Sequence, residues 1–147
     1  MINMHTVNTK VFELLRSNLP DVKHYTVTHA APINTDHNLC PWVGVYRGDS
    51  TYTPRVISRN ASGSKWRANP VIKIMVQAAS GVSGAKAEQR LEEYIEDVMT
   101  VILGDPTIGG TVHMINEFNV SYSYNEADTQ SVFYNMATID ITVESRT

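Results

Sequence analysis

Two long segments near the C-terminus alternate apolar and polar residues, and this alternation limits the possible folds more than any other feature of the chain. Val112, Met114, Phe118, Val120, Tyr122 and Tyr124 mark the first segment, and Phe133, Ala137, Ile139, Ile141 and Val143 the second. A period of two puts alternate side chains on one face of a strand, so each segment has an apolar face to bury. Polar residues from Asn125 to Gln130 separate them, which predicts an antiparallel hairpin. A hairpin alone is marginal in water, so another element must cover it.

That cover is expected just upstream. Ala87, Leu91, Tyr94, Ile95, Val98 and Ile102 recur at helical spacing, with Ser83 placed to cap the start. Leu103-Gly104-Asp105-Pro106 stops the helix, with Gly104 suited to a left-handed position and Pro106 just beyond. The other face carries Glu88, Glu92, Glu93, Glu96 and Asp97, and such a face is ordinarily solvated. A strand over 112–124 spans about 43 Å, whereas a helix over 84–103 spans only about 30 Å. The hairpin end near Tyr122, Tyr124, Phe133 and Tyr134 is therefore expected to overhang the helix. Tyr134 and Met136 also break the alternation. Exposed aromatic surface of this kind suggests a subunit contact.

The N-terminal half is less regular. Val7, Val11, Leu14 and Leu15 share a helical face, with Thr6 as a candidate cap and Leu19-Pro20 as the stop. Lys23 to His29 reads as a strand and Ala30 to Cys40 as a loop. Strands are expected at 42–47 and 71–78, the second with Ile72, Ile74, Val76 and Ala78 on one face. The insertion between them is basic and aromatic. It holds Arg47, Arg55, Arg59, Lys65 and Arg67 beside Tyr46, Tyr52 and Trp66, with Asp49 its only acid. Residues 47–67 thus carry +4, leaving −7 on the rest of a chain whose formal charge is −3. A long charged loop in a small domain is usually functional or disordered, and this one reads as an arm that touches another molecule.

At 147 residues the chain fits a single domain over 1–147, and 18% charged with 42% apolar residues is ordinary globular composition. The small net charge makes no global case for nucleic acid or membrane. Cys40 is the lone cysteine, so no internal disulfide exists. Met1 to Lys10 is too polar for a signal peptide, and no membrane partner is expected.

Catalytic motifs are wanting. His24 and His29 are an odd number of residues apart and would face opposite sides of a strand. Asp36-His37-x-x-Cys40 has metal-type ligands but no second pair at finger-like spacing. Cys40 beside Pro41 has no nucleophile signature. Ser80-Gly81-Val82-Ser83-Gly84-Ala85-Lys86 lacks both the phosphate-loop spacing and the hydroxyl after the lysine. No catalytic residue, metal or cofactor is expected, and an enzyme is not the favoured reading.

The order of these parts resembles a known family. A short helix and a weak strand lead into Pro41-Trp42-Val43-Gly44-Val45-Tyr46, and an arm with Tyr52 and Trp66 precedes Ile72-Lys73-Ile74-Met75-Val76. Then come the helix Leu91-Glu92-Glu93-Tyr94-Ile95 and a hairpin built from Tyr122-Ser123-Tyr124-Asn125-Glu126 and Ala137-Thr138-Ile139-Asp140-Ile141-Thr142-Val143. This is similar to the tail terminator (tail completion) proteins of long-tailed phages, of the lambda type, over nearly the whole chain. The likeness is one of pattern and element order, shared in design with neck proteins of related phages. It implies an α+β fold with a mixed, mainly antiparallel sheet, two helices on one face and a long C-terminal β-hairpin. It also implies a hexameric ring in the virion, built in the host cytoplasm, that caps the tail tube protein and faces the head connector or neck protein.

A ring needs two different complementary patches on each subunit. Arg47, Arg55, Arg59, Lys65, Trp66 and Arg67 of the arm and Glu92, Glu93 and Glu96 of the helix are complementary in charge, while Tyr122, Tyr124, Phe133 and Tyr134 offer aromatic contact. The arm arginines are alternatively placed to touch DNA in the lumen without sequence preference. A reading of another class makes 47–67 the site of a single-stranded nucleic-acid-binding module, against which the pI of 5.9 argues.

Overall fold

The computed structural model describes residues 4–29, 39–54, 66–124 and 133–145. In chain order these form α1 (Met4–Asn18), a 3-10 turn (Asp21–Lys23), β1 (Thr26–Thr28), β2 (Trp42–Pro54), β3 (Trp66–Ser80), α2 (Gly84–Leu103), β4 (Val112–Tyr124) and β5 (Phe133–Ser145). The five strands make one sheet in the order β1-β2-β3-β5-β4. Only the β1–β2 pair is parallel. The chain is thus an α+β protein with a mixed, mainly antiparallel sheet, two helices and a C-terminal hairpin.

Register lines up apolar rows across the strands. Val43, Val76, Ala137 and Tyr122 form one row, Val45, Ile74, Ile139 and Val120 the next, and Ile72, Ile141 and Phe118 a third. α2 covers the middle of these rows over β3 and β5, while α1 covers β1 and β2 and abuts α2. Ile72, Ile74, Ile139 and Ile141 are fully buried beneath them, together with Leu91, Val98 and Ile102 of α2 and Val7, Val11 and Leu15 of α1. Each such side chain contributes about 1.5–3 kcal/mol on burial, so these rows outweigh any surface ion pair. On the opposite face Lys73 and Asp140 are directly paired across the ladder, 3.8 Å apart.

β2 and β3 run well past the expected 42–47 and 71–78. Ladder pairing continues from Ser50↔Pro70 to Pro54↔Trp66, so the arm begins as a two-stranded extension rather than as an irregular loop. A bulge at Gly48 and Asp49 conceals this in the sequence, because three steps along β2 match two along β3. A Cβ at Gly48 would come 2.9 Å from the Val71 carbonyl, so the bulge needs glycine there. β5 joins β3 only from Val71 onward, immediately after Pro70, which has no N–H to offer a ladder.

Other expectations are revised. α1 already includes Met4 and His5, so Thr6 lies inside its first turn and is not the cap. The strand expected over Lys23 to His29 shrinks to Thr26–Thr28, because Lys23 closes a 3-10 turn and His24 takes a left-handed conformation with φ 50°. Ser83 does cap α2, accepting from the Lys86 N–H at 3.1 Å. Gly104, however, stays right-handed with φ −67° and carries the helical turn onward.

The left-handed residues come later, at Ile108 (φ 49°) and Gly109 (φ 64°). The Asp105 carboxylate organises this turn, accepting from the Gly109 N–H at 2.8 Å and the Thr107 hydroxyl at 3.2 Å. Ile108 is fully buried. A β-branched residue at positive φ costs on the order of 1–2 kcal/mol, and burying its side chain recovers about 1.5–3 kcal/mol. The conformation is therefore held by the core it plugs. Ile108→Ala keeps the strained backbone and loses that plug, so urea denaturation should show a loss of about 2–5 kcal/mol. An unchanged midpoint would remove Ile108 from the core.

Candidate assembly surface

α2 is fixed in rotation by one carboxylate. Asp97 Oδ2 accepts from Lys23 Nζ at 2.7 Å and from the Tyr25 hydroxyl at 2.6 Å. Tyr25 meets Tyr94 edge to face with ring centroids 5.5 Å apart, and the Lys23 ammonium lies 5.7 Å from the centre of the Tyr94 ring. One turn earlier, Arg90 donates to the Ala79 carbonyl at 3.0 Å. One flank of α2 is thereby bound to the turn before β1 and to the end of β3. Burial, then the bond to Asp97, raises the Tyr25 hydroxyl pKa above its ordinary value. The same carboxylate raises Lys23, chiefly through its hydrogen bond, and burial raises Tyr94.

This junction divides the acidic face. Asp97 is half-buried and already paired, so it leaves the set of free surface acids. Glu93 borders the junction, where its charge acts on Lys23, Tyr25 and Tyr94. Glu88, Glu92 and Glu96 are exposed and recur every four residues. At roughly 100° per residue, Glu92 points to the flank opposite Tyr94. Since α1 occupies the Tyr94 side, the free flank overlooks β4, the outer strand of the sheet.

β4 is a long edge strand. Its first half is interrupted by register shifts at Val112/Met114 and Ile115/Glu117, but pairing from Glu117 to Tyr124 is regular. That second half carries no lysine, arginine or proline, the usual devices that blunt an exposed edge. Phe118 and Val120 are half-buried on the helix side, and Tyr122 is 49% exposed. Leu103 at the end of α2 is 55% exposed.

The expected interface residues scatter over several places. Arg47 is exposed on β2, and Trp66 and Arg67 belong to β3 in the arm ladder. Arg55, Arg59 and Lys65 lie outside the described residues, as do Asp36 and His37. Glu92, Glu93 and Glu96 are exposed on α2, and Tyr124 ends β4. Phe133 does not overhang the helix. Its ring lies 3.7 Å from where a Cβ of Gly84 would project, because Ser80, just before α2, pairs with Phe133. Tyr134 beside it is half-buried. Among the described residues the uncovered part of the hairpin thus runs laterally along β4.

Chemistry-bearing clusters are few. Among the described residues no three His, Cys, Asp or Glu side chains could hold a metal ion, and no helix is long and apolar enough to cross a membrane. An open groove of about 830 Å³ lies between the end of α1 and β1, lined in part by Leu15, Leu19, Asp21 and His24. No protein-family model matches the chain, and no curated protein matches it.

The Lys23–Tyr25–Asp97 junction escapes sequence reading, because its members are more than seventy residues apart and form no motif. The only hint is that Asp97 adjoins the buried Val98. Both Tyr25 and Lys23 have raised values in the fold, so the stability they confer is complete below their unfolded values, about 10 for both. It is lost as pH climbs beyond that point. Melting temperature should therefore fall above about pH 10, and Tyr25→Phe should fall less steeply there, whatever its stability at pH 7. Parallel profiles for the two proteins would contradict this.

Proposed function

We propose that the protein is a structural virion component whose ring, hexameric as in the family it resembles, terminates a phage tail tube and presents the surface to which the head joins. One geometric observation carries the reading. The β2–β3 arm extends from the end of the sheet where β3 begins, whereas the uncovered β4 edge lies at the far side, beyond β5. Contact between these two unlike patches, where it is not reciprocated about a two-fold axis, is head-to-tail, and head-to-tail contact closes into rings or runs on as filaments. The basic arm and the acidic free flank of α2 complement each other in sign.

Tail tube protein and the head connector are the partners this reading requires on the two rims. The arm arginines are assigned first to subunit contact and only second to DNA in the lumen. Exposed ion pairs yield about 0–1 kcal/mol each, so aromatic and apolar contact must carry most of the affinity.

Light scattering over a concentration series should show growth from monomer to a closed cyclic species without a stable dimer. In a phage carrying this gene, disruption should leave tails of unregulated length that fail to join heads in electron micrographs, with purified protein restoring joining. Normal tails joined to heads after disruption would overturn the proposed role.

A further inference from the structure

We propose that the arm of a second copy seats on the shelf made by the regular half of β4 and the free flank of α2. The inference rests on the ring reading and names the surfaces that would join its subunits. Three independent observations converge on it. In the described part of the arm, Ser50–Pro54 and Trp66–Pro70 have ladder partners only in each other among the described residues, since β1 pairs with β2 only as far as Gly44 and β5 with β3 only from Val71. Two strands without a third or a helix are marginally stable, so the arm gains from a surface to lie against.

The shelf offers what such an arm lacks. Glu117 to Tyr124 presents an unshielded strand edge, with Phe118, Val120 and Tyr122 on the helix side as an apolar floor. Glu88, Glu92 and Glu96 stand above that floor on the flank of α2 turned away from Tyr94. None of these three is in an ion pair with a described residue. Glu93 and Asp97 are excluded by the junction they serve.

Charge selects the occupant. Residues 47–67 carry +4 in a chain that is otherwise −7, and Tyr52 and Trp66 accompany those charges. No other segment of the sequence combines basic residues and aromatics in this way. An arm cannot lie on the shelf of its own subunit in this register, because it leaves β3 before Val71 while the shelf runs from the level of Val71 toward that of Ala78, and β5 stands between β3 and β4. The occupant is thus the arm of a second copy. Like-sign contact between two shelves would be repulsive, which disfavours a two-fold dimer built shelf to shelf.

The test is a charge swap between two full-length variants, one with the shelf reversed (E88K/E92K/E96K) and one with the arm reversed (R55E/R59E/R67E). Circular dichroism and melting should match the parent, because the substituted glutamates are exposed. In sedimentation, each variant alone should self-associate at least tenfold more weakly than the parent. An equimolar mixture should recover association, because the native arm then meets the native shelf and the reversed arm the reversed shelf. Tyr122→Ser should weaken the parent and the mixture alike, through the floor. Variants that associate as the parent does, or a mixture no better than its components with both folds intact, would overturn the shelf and leave the ring standing. A parent that stays monomeric throughout the concentration series would retire both.

Discussion

The central strand sets the plan of this molecule. β3 is longer than the partner on its β5 side, and Pro70 marks where that partner begins. From Val71 to Gln77 β3 is flanked on both sides, and Ile72, Ile74 and Val76 on its helix side are fully buried. Before Pro70 β2 alone among the described residues accompanies it, and a pair of strands leaves the body. The same strand is thus core at one end and appendage at the other. A proline that would be disruptive in the middle of a sheet is tolerated because it stands at the boundary between these two regimes.

A second constraint fixes what the helical layer shows to solvent. Two donors from the turn before β1 converge on a single oxygen of Asp97, and the Tyr25–Tyr94 edge contact locks the neighbouring turn. Partly buried charge-assisted bonds of this length are stronger than neutral ones. Their main effect here is orientation. With the Tyr94 flank held, the remaining glutamates fall into two groups, one beside the junction and one above β4. A helix with five acids in sequence therefore presents three as a continuous stripe.

How much of this was legible in the sequence follows from periodicity and distance. α2 and the β4–β5 hairpin were readable because each is long and strongly periodic, and their bounds fell where the patterns did. The arm strands were hidden by the extra residue at Gly48 and Asp49 and by polar residues that obey no period. β1 shortened because His24 turns left-handed, which no local pattern announces. Gly104 carries the usual signal of a helix stop, yet the chain uses Ile108 and Gly109 for the left-handed step, a choice dictated by the cavity that Ile108 fills. For the surface, the charge contrast between arm and helix was visible at once. Which acids are available was not, since Asp97 owes its role to residues more than seventy positions away. Phe133 was misplaced for a related reason, whereas Tyr122 is exposed as expected. Length alone does not reveal that α2 starts flush with Phe133.

The two hairpins of the sheet lead out in opposite directions. The β2–β3 pair ends with Pro54 opposite Trp66 at the start of β3, while the β3–β5 pair ends with Ser80 opposite Phe133 at its other end. A body with unlike poles has an intrinsic polarity, like an arrow rather than a disc. Cyclic repetition of such a body about an axis along the strands gives two rims of different composition, and no rotation of the whole exchanges them. Any structure stacked on it would meet one rim or the other and never an equivalent pair. Direction would then be inherited from the path of one strand, without a separate device to specify which way is up.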